Sequence, residues 1–195
     1  KRKFDIPWVS TQHNIVRPMR RGRRFALRNA LKSADRVIAV SEAVAEDVAR
    51  HLNIDSQRMS VITNGIDLSP WLEASRLAET LPVPLPTREG IELAIVGRLE
   101  EQKGHDILFR SLAHLLDLPW QLHVFGDGAL RSILENLARE LAINERVRFH
   151  GVVEDLPQAL AEIDAVIAPS RYEGMSLAVM EAMAAGRIVV ASEAA

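Results

Sequence analysis

Ala165-Val166-Ile167-Ala168-Pro169-Ser170-Arg171-Tyr172-Glu173-Gly174-Met175-Ser176-Leu177, running on to Glu181-Ala182-Met183-Ala184-Ala185-Gly186, decides the fold. Four apolar residues in a row read as a buried strand. Pro169 and Gly174 punctuate a turn, and Met175 to Ala185 reads as an apolar helix with little acidic capping of its own. A strand passing through a glycine turn into such a helix is the repeating unit of a parallel α/β sheet. The first N–H groups of that helix have no intrahelical acceptor, and with the positive end of the dipole they attract a phosphate. Gly174 lets the backbone approach a ligand, and Met175, Ser176 and Leu177 offer backbone N–H groups rather than side-chain chemistry. Glu173 in the turn and Glu181 two turns into the helix bracket the place. Carboxylates repel phosphate, so their part is to accept hydrogen bonds from hydroxyl groups beside it, which suits a nucleotide carrying a sugar.

Outward from this unit the same alternation holds. Strands are predicted at Ile91 to Gly97, Gln121 to Phe125, Arg146 to His150 and Ile188 to Ala191. Helices are predicted at Gly104 to Leu116, Leu130 to Leu141 and Leu156 to Ala161. Such strands imply a parallel sheet with right-handed crossovers, and ligands gather at the carboxyl ends of its strands, where Gly97, Gly126, Gly151 and Glu173 all fall. Near the start, Trp8 to Thr11, Arg36 to Val40 and Met59 to Ile62 read as strands. Arg20 to Ser33, and Glu42 to Leu52 behind the cap Ser41, read as helices. That is an incomplete half of a doubly wound domain. The expected division is residues 1–63 as the end of an amino-terminal Rossmann-like domain, 64–90 as a Gly- and Pro-rich linker with a helical piece near Leu72 to Glu79, and 91–195 as a carboxyl-terminal domain.

Composition bounds the function classes. The chain has 195 residues, 48% of them hydrophobic, and no cysteine, so disulfides and thiolate metal sites are excluded. No apolar run approaches a bilayer span, and Lys1-Arg2-Lys3 is not followed by the apolar block of a signal peptide. A cytoplasmic protein, at the inner face of the membrane if it touches one, is the expectation. Charge is uneven: residues 1–36 hold 11 Lys/Arg against 2 Asp, a balance of +9, which within a net −2 leaves −11 for the rest. Arg17, Arg20, Arg21, Arg23, Arg24, Arg28 and Lys32 concentrate the excess in segment 17–32. A basic helix of this kind lies on anionic lipid or grips another polyanion; the bland alternative is a solvated helix rich in arginine.

The setting Ser-x-x-Glu-Gly-x-x-Leu-x-x-x-Glu-Ala-Met-Ala-x-Gly resembles the signature of the family 4 retaining glycosyltransferases. Val96-Gly97-Arg98-Leu99 with Gln102-Lys103-Gly104, Phe125-Gly126-Asp127-Gly128 with Leu130-Arg131, and Arg146-Val147-Arg148-Phe149-His150-Gly151 look like further landmarks of that family in the expected order. The proline usual after Ala-x-Gly is replaced by Arg187-Ile188, at the start of a strand. The resemblance implies the GT-B architecture of two facing Rossmann-like domains, a nucleotide-sugar donor and retention of anomeric configuration. It also leads to the expectation of a piece truncated at both ends.

A transferase of this kind must stabilise a diphosphate leaving group, with a metal held by Asp-x-Asp or with fixed positive charge and helix dipoles. No Asp-x-Asp occurs, and no His and carboxylate cluster has metal-ligand spacing, so neither a metal nor another cofactor is expected. Arg98 and Lys103 leave the end of the strand at 91–97. By position alone they also read as an exposed loop pair; the resemblance makes them the diphosphate-binding cations. It likewise implies that Glu181 binds the ribose hydroxyls, Glu173 contacts the transferred sugar, the region of Gly97 and Val152 meets the donor, and His13 in Thr11-Gln12-His13 faces the donor sugar. His51, His105, His114, His123 and His150 have no spacing that suggests joint action, though His105 stands near enough to Lys103 to edge the donor site.

Two other readings remain open. A GT-B epimerase or phosphorylase would keep the fold; a phosphorylase needs a lysine for pyridoxal phosphate, and the only lysine past Lys32 is Lys103. A non-catalytic nucleotide-binding module with a basic membrane- or nucleic-acid-binding segment is the other. The reading preferred is the transferase, with no nucleic-acid partner and an acceptor that is lipid-linked or an anionic glycan.

Overall fold

The computed structural model describes residues 6–16, 20–80 and 90–194, without the side chains of 75–80. Lys1 to Lys3, Arg17 and the linker prolines Pro82, Pro84 and Pro86 lie outside the described residues. The chain forms two compact units, residues 1–65 with 172–175 and residues 66–171 with 176–195.

The first unit holds a parallel sheet of order β1-β2-β3, from β1 (Val9–Gln12), β2 (Arg36–Ala39) and β3 (Met59–Val61). Helix α2 (Glu42–Leu52) starts because Ser41 Oγ accepts the Val44 N–H at 3.3 Å, and it stops where Asn53 turns left-handed at φ 51°. Its buried face, Val44, Ala45, Val48 and Leu52, meets Val37, Ala39 and Val40 around β2. Helix α1 (Arg21–Ser33) has no side-chain cap and no acid in its first turn, and buries only Leu31. It is fastened at its far end by Trp8, whose Nε1 donates to Ser33 O at 3.0 Å.

The second unit is a parallel sheet of order β6-β5-β4-β7-β8. Its strands are β4 (Ile91–Val96), β5 (Trp120–Phe125), β6 (Val147–Gly151), β7 (Ala165–Ala168) and β8 (Ile188–Ala191). On one face Ile95, Leu122, Val124 and Val147 pack under α4 (His105–Leu112) and α5 (Arg131–Glu140) through Leu108, Phe109, Leu112, Leu134 and Leu137. On the other, Ala94, Phe125 and Val166 meet Leu160 at the end of α6 (Leu156–Leu160) and Ala182 in α7 (Leu177–Ala184). Trp71, from α3 (Ser69–Thr80), joins this second core, so part of the presumed linker is folded into the unit. Each large side chain so buried contributes about 1.5–3 kcal/mol.

Several helices are shorter than their sequence patterns predict, α4 and α7 by the most. Helix α4 ends at Leu112 instead of Leu116, and the chain runs on in turns toward β5. The freed carbonyls of Leu116 and Leu118 accept Arg146 at 2.9 and 2.8 Å, and that of Leu115 accepts Trp120 Nε1 at 2.8 Å. Helix α7 begins at Leu177, leaving Met175 and Ser176 in the approach.

Candidate active site

In the second unit the site is built where the strands end. The loops after β4 and β5 are zipped by backbone hydrogen bonds, Gly97 N–H to Phe125 O at 2.9 Å and Leu99 N–H to Asp127 O at 3.0 Å. They come so close that a Cβ on Gly126 would stand 2.1 Å from Gly97 O, which only glycine permits. Lys103 lies over this mouth, for a Cβ on Gly97 would meet its methylenes at 3.2 Å. Gly104 turns left-handed at φ 71° and presses on Pro169 at the end of β7, where a Cβ would be 2.2 Å from the carbonyl oxygen.

Arg171, which the sequence reading left without a role, clamps these loops together. Its N–H donates to Gln102 O at 2.8 Å, Nη1 to Glu101 O at 2.8 Å, and its guanidinium grips Asp106 at 2.8 and 2.7 Å. The hydrogen-bonded Arg171 guanidinium holds the Asp106 carboxyl below the ordinary carboxylate range. No local pattern marks this pair, since its members are 65 residues apart.

Lys103 and Glu181 come into electrostatic reach of each other. Burial raises the Glu181 pKa, and the Lys103 charge opposes that rise. Helix α7 begins at Leu177; its N-cap Ser176 makes no side-chain cap hydrogen bond, and its first turn holds no acid. Arg98 is turned to Glu100, at 2.8 Å, on the surface. Val152 is 80% exposed beyond β6, with β5 standing between β6 and β4. The structure thus gathers Gly97, Lys103 and Glu181 around the ends of β4 and β7 and sets Val152 at the rim of the sheet.

His105 is buried beside Lys103, with neither ring nitrogen hydrogen-bonded among the described residues. Burial first, then the Lys103 charge, pushes its pKa down to about 4 against the weaker pull of Asp106, so the imidazole is neutral. His123 and His150 do act together: His123 Nε2 meets Glu92 Oε2 at 2.7 Å and its Nδ1 meets His150 Nε2 at 2.8 Å. Strand alternation and parallel register, not sequence spacing, place these three on one sheet face.

In the first unit, segment 172–175 lies on the loop after β1. A Cβ on Gly174 would be 2.2 Å from His13 O, which brings the backbone beside Glu173 against His13. Ser41 Oγ donates to Gly174 O at 2.7 Å, Asn64 Nδ2 donates to Met175 O at 3.4 Å, and Met175 packs on the core of this unit. Ser41, which by sequence is a helix cap, and Asn64, at the start of the expected linker, thus both hold this segment. Among the described residues no group of three His, Cys, Asp or Glu could hold a metal, and no helix is long and apolar enough to cross a membrane.

Parallel sheets wound by helices, with glycine turns at the strand ends, define an α/β protein of Rossmann-like architecture. Residues 90–195 match the family described as Glycosyl transferases group 1, and residues 1–70 match Glycosyltransferase Family 4. The chain belongs to the group 1 glycosyltransferases, as the sequence motifs suggested. It is 34% identical over 206 residues to a D-inositol 3-phosphate glycosyltransferase of Mycobacterium sp. (strain KMS), an alignment covering 97% of this chain and 47% of the relative. It is 33% identical over 164 residues to an uncharacterized glycosyltransferase of Methanocaldococcus jannaschii, covering 80% of this chain and 42% of the relative. The structure of Anabaena HepE with UDP and glucose superposes with a TM-score of 0.82 at 26% identity, over 96% of this chain and 53% of that one. A second complex of HepE, with UDP-glucose, superposes with the same TM-score of 0.82. The chain spans about half the length of the curated relatives it matches.

Proposed function

We propose that the protein transfers a sugar from a nucleotide-sugar donor to an acceptor with retention of anomeric configuration and without a metal. In this reading 91–195 holds the donor, 1–63 is the end of the acceptor-side domain, and 64–90 joins them. The observation that carries it is the Lys103 side chain lying over Gly97 and within electrostatic reach of Glu181, beside the uncapped start of α7. A fixed cation and free N–H groups are what a departing diphosphate requires, and they cost no reorganisation when its charge develops. Arg98 would add a second cation by exchanging Glu100 for a phosphate oxygen, a small loss because that pair is exposed.

Glu181 would accept the two ribose hydroxyls, with the Lys103 charge opposing the rise that burial gives its pKa. Glu173 and His13 would face the transferred sugar, with Gly174, Met175, Ser176 and Leu177 lending backbone groups and Gly97 and Val152 meeting the rest of the donor. Front-face transfer, in which the leaving diphosphate takes the acceptor's proton, accords with the family likeness. UDP and UDP-glucose in HepE favour a uridine donor. The five cations of α1, with no acid, favour a lipid-linked or anionic acceptor at the cytoplasmic face of a membrane.

Calorimetry of UDP with the intact protein tests the core of this. Binding should persist in excess chelator and weaken in Lys103→Ala, whose turnover should fall by roughly two or more powers of ten. Binding that vanishes with chelator and returns with manganese would overturn metal independence, and near-normal Lys103→Ala turnover would remove that residue from the mechanism.

A further inference from the structure

Between α1 and the carboxyl end of α2, inside the first unit, lies a hollow of about 320 Å³ lined by Arg21, Arg24, Phe25, Arg28 and His51. Its chemistry is one-sided. Helix α1 carries Arg21, Arg23, Arg24, Arg28 and Lys32 and no acid, and no carboxylate lines the hollow. Of the nearby acids, Asp47 accepts the Val16 N–H at 2.5 Å and pairs with Nδ1 of His51, itself a lining residue, at 2.9 Å, and Glu46 meets Arg50 at 4.0 Å.

The three arginines are not equivalent. Arg24 is occupied, with Nε and Nη2 both donating to His51 O at 3.0 and 2.6 Å, where they close the open carbonyl end of α2 and fix that wall of the hollow. Arg28 is not: its Nε is buried and has no acceptor among the described residues. Arg21 likewise has no ion pair there. A buried donor is normally satisfied, and nothing among the described residues satisfies this one.

We infer that the hollow is a phosphate-ester site. Guanidinium forks match phosphate oxygens two at a time, and Arg21 and Arg28 are placed to supply them around a floor held rigid by Arg24. Phe25, 66% exposed, offers an apolar flank for the carbon side of an ester. The volume admits a phosphate with a short organic stub. The ester belongs either to a phospholipid headgroup or to a soluble phosphorylated molecule, and the site binds the chemistry they share. This narrows the basic-helix part of the proposed function to one hollow and does not depend on the donor reading, which the same samples report separately through UDP binding.

The test uses the intact protein at low salt with two probes, glycerol 3-phosphate by calorimetry and phosphatidic acid in phosphatidylcholine vesicles by co-sedimentation. Arg21→Gln with Arg28→Gln should weaken binding at least tenfold, while Arg23→Gln with Lys32→Gln, an equal loss of charge outside the hollow, should weaken it less than threefold. UDP binding should be unchanged in both. Arg24 is left in place because it closes α2; should the first pair prove unstable, Arg28→Lys, which keeps the charge and loses the fork, should still weaken binding several-fold. Site-dependent binding of vesicles alone assigns a lipid headgroup, and of glycerol 3-phosphate as well a soluble ester; either supports the site. Equal losses in the two double variants, or no binding of either probe by the unaltered protein, would overturn it.

Discussion

Replacing Glu181 by glutamine keeps its size and removes the carboxylate that would grip a diol. Ribose is common to the free nucleotide and the nucleotide sugar, so Glu181→Gln should weaken both, whereas Glu173→Gln should spare UDP and weaken UDP-glucose. Calorimetry with the two ligands decides, and equal losses in both variants would show that the roles are wrongly divided. His105 makes a different forecast. Its pKa is near 4 when folded and 6.5 when free, so as pH falls the unfolded chain takes the proton first. The stability from its neutral burial is complete above pH 6.5, is lost between 6.5 and 4, and changes no further below. The loss amounts to about 3 kcal/mol. Urea unfolding of His105→Phe should show a flatter decline across that interval, and a decline identical to the parent's would clear His105. The candidate site is readable where it is local: Glu173, Gly174 and Glu181 sit in one short motif, as do Gly97, Arg98 and Lys103. Arg171 with Asp106, Asn64 with Met175 and Ser41 with Gly174 are not, because their members stand 65, 111 and 133 residues apart and only the folded chain brings them together.

Elements differ in what their glycines allow. Gly22, in the first turn of α1, has nothing within 4 Å of the place a Cβ would take, so Gly22→Ala should stabilise the protein by about 0.5–1 kcal/mol through the unfolded chain and helix propensity. Gly104 ends the short turn before α4 with φ 71° and backbone 2.2 Å from its absent Cβ, so Gly104→Ala should cost roughly 3 kcal/mol or more and displace Lys103, weakening UDP binding. Thermal melts of the two variants should move in opposite directions, and a neutral Gly104→Ala would refute the close contact with Pro169. Element type was readable throughout because hydrophobic period separates these short strands from these helices. The ends were less so: α4 stops four residues early, and α3 owes its place to Trp71, whose burial depends on α6 and the second core.

Across the whole molecule, the strand order makes β4 the centre of the larger sheet, with β5 on one side and β7 on the other. The first neighbour is close in sequence; the second is not, and the Glu92 N–H that donates to Asp164 Oδ2 at 2.7 Å spans 72 residues. Seen as time rather than space, that span is a delay. At cellular synthesis rates of about 5–20 residues per second, β4 leaves the ribosome roughly 4–14 s before β7 can join it. In that interval β4, β5 and β6 can pair under α4 and α5, while the opposite face, with Ala94 and Phe125, waits uncovered. The segment bearing Glu173 and Glu181 therefore docks after β4, β5 and β6 have been made, and the uncovered face is most exposed to unwanted association just before that segment arrives.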